Sequence, residues 1–375
     1  MKEESTRQIT VIQTAAILVS TIIGVGVLPL PLFAVRAADS AAPLITLLGM
    51  VVAFIGLALV TILGKRFSDK TIILYSEDII GKWPARLGSV AIIAFFAILT
   101  SLTAREFGEV VVTSVLKQTP VEVTVIVMLL LAAISTRNTI TTFAYIHNFY
   151  FPLLIVPVIL IVALSLKNAE VINLQPIWGS ELQGILKGTL TIAALFQGSF
   201  ILSMVIPSMR NPQKAMKASV WGIIIAGGQY VVIVAAAVSV FGAEEIKNLL
   251  WPTLELAKAT SLPANILERL DAAFLAVWVT AVFTTLLSSY FLTIYAISHL
   301  FRLSDHKMFS FFLLPLVFVM AMLPTNIVQM YDIIENVGRI GLFITIGYPG
   351  LLLMISIIRK KRGNRNEGKS MDETG

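Results

Sequence analysis

The chain has 375 residues, of which 57% are hydrophobic and only 13% charged, with a mean hydropathy of +0.87 and a net charge of +6. A soluble domain carries about 25% charged residues, so this composition excludes a soluble enzyme and an intrinsically disordered chain alike. There is no cysteine, which removes disulfides and thiolate chemistry, and most of the basic residues lie between apolar runs, so no nucleic-acid partner is expected.

A helix needs about 20 apolar residues to cross the hydrocarbon core. In chain order, candidate runs lie near 9–35, 43–64, 86–116, 121–136, 149–166, 188–207, 218–241, 270–303, 309–323 and 338–358. The expectation is an all-α integral membrane protein with ten transmembrane helices. The first run follows Lys2 and Arg7, but it is too long for a signal peptide and has no A-x-A site. Ten spans put both termini on one side. The loops on that side hold 19 Lys or Arg against 7 on the other, so both termini are expected in the cytoplasm. Glu244, Glu245, Glu255, Glu268 and Asp271 crowd the long opposite loop at 242–269 and the start of the span after it. Residues 1–358 read as a single membrane domain, with one half near 9–166 and the other near 188–358. Residues 359–375 read as a basic cytoplasmic tail that meets membrane lipid or simply anchors the last span.

Two spans are interrupted. Span one reads Ser20-Thr21-Ile22-Ile23-Gly24-Val25-Gly26-Val27-Leu28-Pro29-Leu30-Pro31, and span six reads Leu195-Phe196-Gln197-Gly198-Ser199-Phe200 with Pro207 ending it early. Proline removes a helix donor and glycine weakens the helix by about 1 kcal/mol. Interruptions at corresponding places in two five-span halves point to a transporter-type site at the repeat interface. Gly24 and Gly26 alone would equally serve close helix packing. An unwound segment offers N–H groups at one half-helix and C=O groups at the other. Residues 8–35, 87–104, 188–209 and 272–298 contain no Asp, Glu, Lys or Arg. A zwitterion or a neutral polar molecule is therefore expected, with a neutral amino acid fitting best and a sugar also compatible.

Gly24 through Pro31, opening a ten-span chain with a second break in span six, resembles the amino acid–polyamine–organocation superfamily. More narrowly, five stretches resemble the endospore germination permeases, the B subunits of nutrient germinant receptors. These are Arg105-Glu106-Phe107-Gly108-Glu109, Thr119-Pro120, Asn211-Pro212-Gln213-Lys214-Ala215, Trp251-Pro252-Thr253-Leu254-Glu255-Leu256-Ala257 and Leu267-Glu268-Arg269-Leu270-Asp271. The resemblance implies a five-plus-five inverted repeat in the spore inner membrane or cell membrane, with A-type and C-type receptor subunits as partners. It places a nutrient ligand at Thr21, Gly24, Val25 and Gly26 of span one and at Phe196, Gln197, Gly198 and Ser199 of span six. Thr100 or Thr103 of span three and Thr284 or Thr285 of span eight would complete the lining. Relatives often carry a glutamate where this chain has Phe200, which implies a more apolar pocket. A free-standing amino acid permease and a scaffold subunit with an empty pocket are the alternatives.

Arg105, Glu106 and Glu109 lie about 19 residues past the inner end of span three, near 28 Å at about 1.5 Å per residue, which puts them at the outer interface, solvated or touching a subunit. An outer vestibule and ion coupling are the other roles weighed for them. Thr284, Thr285, Ser288 and Ser289 could ligate a coupling ion or join helices. Span 149–166 contains no lysine, and the resemblance implies that some related proton-coupled carriers use one there, so proton coupling is less expected. His147 reads as interfacial, with His299 and His306 near the inner loop. Trp251, Trp278, Tyr290 and Tyr295 read as packing or belt aromatics. Phosphate-loop, triad and HExxH patterns are absent. No enzyme activity, cofactor or metal site is expected.

Overall fold

The computed structural model describes residues 8–178, 182–260, 270–303 and 305–363. Lys2, Arg7, Glu268, Arg269 and the tail beyond residue 363 lie outside them, as do most of the stretch 267–271 and the side chain of Asp271. Among the described residues the regular structure is helical apart from one isolated bridge, Ile9 to Met209. Within lipid, a helix meets its own backbone hydrogen-bonding needs without neighbours.

The helices are α1 Val11–Ile22, α2 Leu30–Ala38, α3 Ala42–Arg66, α4 Ile72–Ile80, α5 Lys82–Ser114, α6 Val121–Ser135, α7 Ile140–Ser165, α8 Leu182–Ala194, α9 Leu202–Val205 and α10 Ala215–Ile246. After them come α11 Pro252–Ala259, α12 Leu270–Leu300, α13 Phe309–Ala321, α14 Ile327–Leu342 and α15 Tyr348–Ile358. Six segments are long and apolar enough to cross a membrane: Leu30–Arg66, Lys82–Ser114, Ile140–Asn168, Pro212–Ile246, Ala272–Leu300 and Ile327–Ile358. The pair Gln183–Ala194 and Gln197–Ser208, bent by 43°, makes a seventh if counted as one span. The chain is a multi-pass membrane protein. The three remaining expected spans correspond to shorter apolar helices, α1, α6 and α13. α1 is short because its span is cut at the glycines.

Two expected boundaries move. α7 begins at Ile140 rather than near 149, because Thr139 caps it by accepting from the Thr142 amide at 3.2 Å. The last span begins at Ile327, where Asn326 accepts from the Gln329 amide at 2.9 Å. Both starts lie in polar sequence, so a hydropathy run detects them late. The extramembrane stretch at 68–82 holds α4, which buries Ile72, Ile73, Tyr75 and Ile79 and packs mainly on α5.

Hydroxyl groups join the bundle. Thr61 and Ser219 meet at 2.8 Å between α3 and α10, and the Tyr290 hydroxyl donates to the Ser310 carbonyl at 2.6 Å between α12 and α13. Such interhelical hydrogen bonds contribute about 0.6 kcal/mol each in lipid. α1 packs against α7, α10 and α12. The break after α1 is therefore enclosed.

Candidate functional site

α1 starts on a capping box, with the Thr10 hydroxyl accepting from the Gln13 amide and Gln13 accepting from the Thr10 amide. It stops where Ile23 and Gly24 turn extended, and a single tight turn at Val25–Val27 leads to Pro29, the cap of α2. Pro31 falls in the first turn of α2, where its missing N–H costs nothing. The carbonyls freed by the break are taken up by side chains. Thr284 donates to Ser20 O at 2.8 Å, Thr285 to Thr21 O at 3.0 Å, the Tyr230 hydroxyl to Ile22 O at 2.6 Å and Thr253 to Val27 O at 2.7 Å. The amides of Gly24, Val25 and Gly26 make no hydrogen bond among the described residues. The carbonyls of Ser20, Thr21, Ile22 and Val27 are thus occupied, while the three amides are free.

The second break follows α8. The chain tightens through Gln197–Ile201, and Pro207 closes the short α9 segment. The two breaks touch. A Cβ on Gly198 would come within 2.8 Å of the Thr21 methyl and 3.0 Å of its carbonyl, so only glycine permits this approach. The Gln197 amide nitrogen donates to Gly338 O of α14 at 2.6 Å, while its Oε1 is buried without a partner.

Between the breaks lies a cavity of about 80 Å³, well above the roughly 10–15 Å³ that a single water needs. Seven of the twelve residues expected to bind ligand line it: Thr21, Val25, Gly26, Thr103, Gln197, Gly198 and Thr285. The other five stand behind it. Gly24 faces Thr285, Thr100 donates to Phe96 O at 2.6 Å, and Thr284 serves the Ser20 carbonyl. Phe196 packs on Tyr230 with ring centroids 5.1 Å apart, and Ser199 lines a smaller void toward α3. Sequence reading missed Tyr230 of α10 and Ile334, Glu335 and Gly338 of α14, all in the cavity wall. Nothing in the sequence sets Tyr230 apart from the rest of the run at 218–241, and the late start given to the last span hid the turn that carries Ile334 and Glu335.

Three expectations are corrected. Glu106 is not solvated: it is 3% exposed and lines the cavity. The site consequently contains a carboxylate that the charge-free stretches did not foretell. Arg105 turns away into an ion pair with Glu109 at 2.6 Å, and Glu335 pairs with Arg339 at 2.5 Å. Phe200 does not line this cavity but stacks on Phe96 at 5.5 Å, so it does not set the pocket's polarity.

His147 is not interfacial either, being fully buried. Its Nδ1 lies 2.5 Å from Ser20 Oγ, and its Nε2 lies 3.2 Å from Ser288 Oγ, which in turn is 2.7 Å from Thr21 Oγ1. Because Ser20 already donates to Ala16 O at 2.6 Å, the consistent assignment is a neutral imidazole with the proton on Nδ1. Ser288 then donates to Nε2 and Thr21 donates to Ser288. Thr284, Thr285 and Ser288 of α12 are likewise engaged with α1 or α7, while Ser289 donates within α12 to Leu286 O at 3.1 Å.

The family model described as "Spore germination protein" matches residues 8–330. The chain is similar to spore germination protein YndE of Bacillus subtilis (strain 168), 27% identical over 357 residues that cover 95% of this chain and 98% of the relative. It is also similar to spore germination protein B2 of the same organism, 25% identical over 363 residues with 96% and 98% covered. Among solved structures, MhsT in complex with L-phenylalanine superposes with a TM-score of 0.70 at 12% identity, covering 93% of this chain and 89% of that one. At that identity the likeness shows the fold alone.

Proposed function

The chain belongs to the family of spore germination proteins, and from that premise we propose that it is a nutrient-sensing receptor subunit that binds a small molecule, best an amino acid, between its two helix breaks. The observation that carries this reading is the state of the first break: Thr284, Thr285, Tyr230 and Thr253 occupy the carbonyls of Ser20, Thr21, Ile22 and Val27, while the amides of Gly24, Val25 and Gly26 are free. Free amides at the start of a half-helix receive a carboxylate. Gln197 and Gly198 close the other side, so binding there biases how the two breaks meet and passes a change through α14 and α12. In this reading the chain is one membrane domain of ten spans in a five-plus-five inverted repeat. Both termini face the cytoplasm, and the protein sits in the spore inner membrane with A-type and C-type subunits.

Alternating-access amino acid transport is the second reading, favoured by the transporter-like fold and by the direct contact of the two breaks at Thr21 and Gly198. Purified protein in liposomes, tested for counterflow of labelled neutral amino acids beside equilibrium dialysis, separates the two. Saturable binding without exchange supports the sensor, and time-dependent exchange makes it a transporter. Gly26→Trp fills the cavity, and normal ligand affinity in that variant would overturn the site.

A further inference from the structure

We propose that Glu106 is the residue that selects the ligand's charge, and that the cavity takes a molecule carrying a protonated amine whose ammonium group rests against this carboxylate. The inference rests on the binding site proposed above and names the class of ligand that site accepts.

Glu106 lies on α5 one turn after Thr103, and both line the cavity. Its side chain is almost completely withdrawn from solvent, its Oε1 has no hydrogen-bond partner, and no cationic group stands within ion-pair distance among the described residues. The neighbouring acids are answered internally: Glu109 by Arg105, and Glu335, the other acid in the cavity wall, by Arg339. One carboxyl group is therefore left facing the cavity without a cationic partner. An unpaired acid in a low-dielectric interior is costly and marks a functional group by default. A cation is the partner that fits it.

An ammonium group fits better than a metal ion. Hard cations collect several oxygen ligands, and among the described residues no cluster of three His, Asp or Glu exists that could hold one. An ammonium needs only a few acceptors, and the unpartnered Oε1 of Gln197 adds a second in the same wall. Phe33, Phe96 and Tyr230 border the cavity as well, and aromatic faces also receive an organic cation. The remaining lining, including Leu99, Leu102, Leu195 and Ile334, is apolar. The ligand class is thus a small apolar amine or amino acid, not a sugar or a carboxylic acid.

The test uses the purified full-length chain and equilibrium dialysis at constant pH with L-alanine, L-valine, L-leucine and L-phenylalanine. The decarboxylated and deaminated counterpart of each is included, for leucine 3-methylbutylamine and 4-methylpentanoic acid. At least one amine-bearing probe is expected to bind, its deaminated counterpart at least tenfold more weakly. Glu106→Gln, which keeps the shape and loses the charge, is expected to weaken that probe at least tenfold, and Glu106→Asp to recover part of the loss. Circular dichroism and melting verify that each variant is folded. Binding in Glu106→Gln within twofold of the native chain, or equal binding of a deaminated probe, would overturn the inference. If Gly26→Trp abolishes binding while Glu106→Gln does not, the site survives and only the role of Glu106 falls. Binding that survives both variants overturns the site itself, and no binding by any amine in the panel overturns both. A sodium-dependent melting shift lost in Glu106→Gln, with no amine dependence, would reassign the carboxylate to an inorganic cation and overturn the amine.

Discussion

Gly24 and Gly26 are two residues apart in the same break, yet an added methyl group would meet very different surroundings. On Gly24 a Cβ would overlap the Thr285 hydroxyl and stand 2.6 Å from its Cβ and 3.0 Å from its Cγ2. Thr285 cannot move aside cheaply, since its hydroxyl donates to the Thr21 carbonyl at 3.0 Å. Overpacking of this kind costs about 1–3 kcal/mol, and the lost interhelical hydrogen bond adds about 0.6–1.7 kcal/mol. Gly24→Ala is therefore expected to destabilise the fold by about 2–4 kcal/mol. On Gly26 the added atom would meet only Leu195 Cδ2, at 3.4 Å. That substitution is expected to change stability by less than about 0.5 kcal/mol while projecting a methyl group into the cavity. Thermal unfolding in detergent provides the assay. At about 1.3 °C per kcal/mol for a chain of this size, Gly24→Ala should melt about 3–5 °C below the native protein and Gly26→Ala within about 1 °C of it. Thr285→Ala, which loses the hydrogen bond without the overlap, should fall between them. The reasoning fails if Gly24→Ala melts with the native protein, or if Gly26→Ala falls as far.

Tyr230→Phe deletes the donor to Ile22 O and leaves a break carbonyl buried without a partner. A loss of about 1–3 kcal/mol is expected, read by thermal unfolding, and an unchanged melting temperature would show that this carbonyl finds another donor. His147→Phe keeps a ring against Phe143, whose centroid is 4.4 Å away, but removes the links to Ser20 and Ser288. Two interhelical hydrogen bonds set its cost at about 1–3 kcal/mol, and a variant as stable as the native chain would contradict the linking role. At the ends of α2 and α10, Lys247 reaches Asp39 at 2.6 Å and Glu244 at 2.7 Å. Its hydrogen bonds to Asp39 and then Glu244 hold its ammonium above the ordinary lysine value of 10.5. The folded state binds this proton more tightly, so the contribution is complete below pH 10.5 and is lost as the pH rises through the folded value. The melting difference between native protein and Lys247→Met should accordingly hold below about pH 10.5, shrink as the pH rises above it, and also fall with salt. A difference that stays constant above that pH would refute the ion-pair origin.

Composition determined the class of this protein, because a chain with 13% charged residues cannot solvate a globular surface. The sequence also located both interruptions, since Gly24, Gly26, Pro29 and Pro31 act on the backbone locally and need no tertiary partner to break a helix. What it could not decide was which side chains reach the cavity. Position along a helix gives depth but not cover. Counting residues carries Glu106 to the membrane surface, whereas the fold buries it in the cavity wall that Ile334 and Glu335 of α14 share. The same limit applies to His147, whose place at the edge of an apolar run looked interfacial until Ser20 and Ser288, 127 and 141 residues away, were brought onto its two nitrogens. Phe200 shows the converse, being two residues from a glycine in the cavity wall yet turned to Phe96 outside it. Local backbone chemistry is written in the order of the residues. The charge and shape of a site enclosed by several helices depend on contacts between residues far apart in the chain, and only packing settles those.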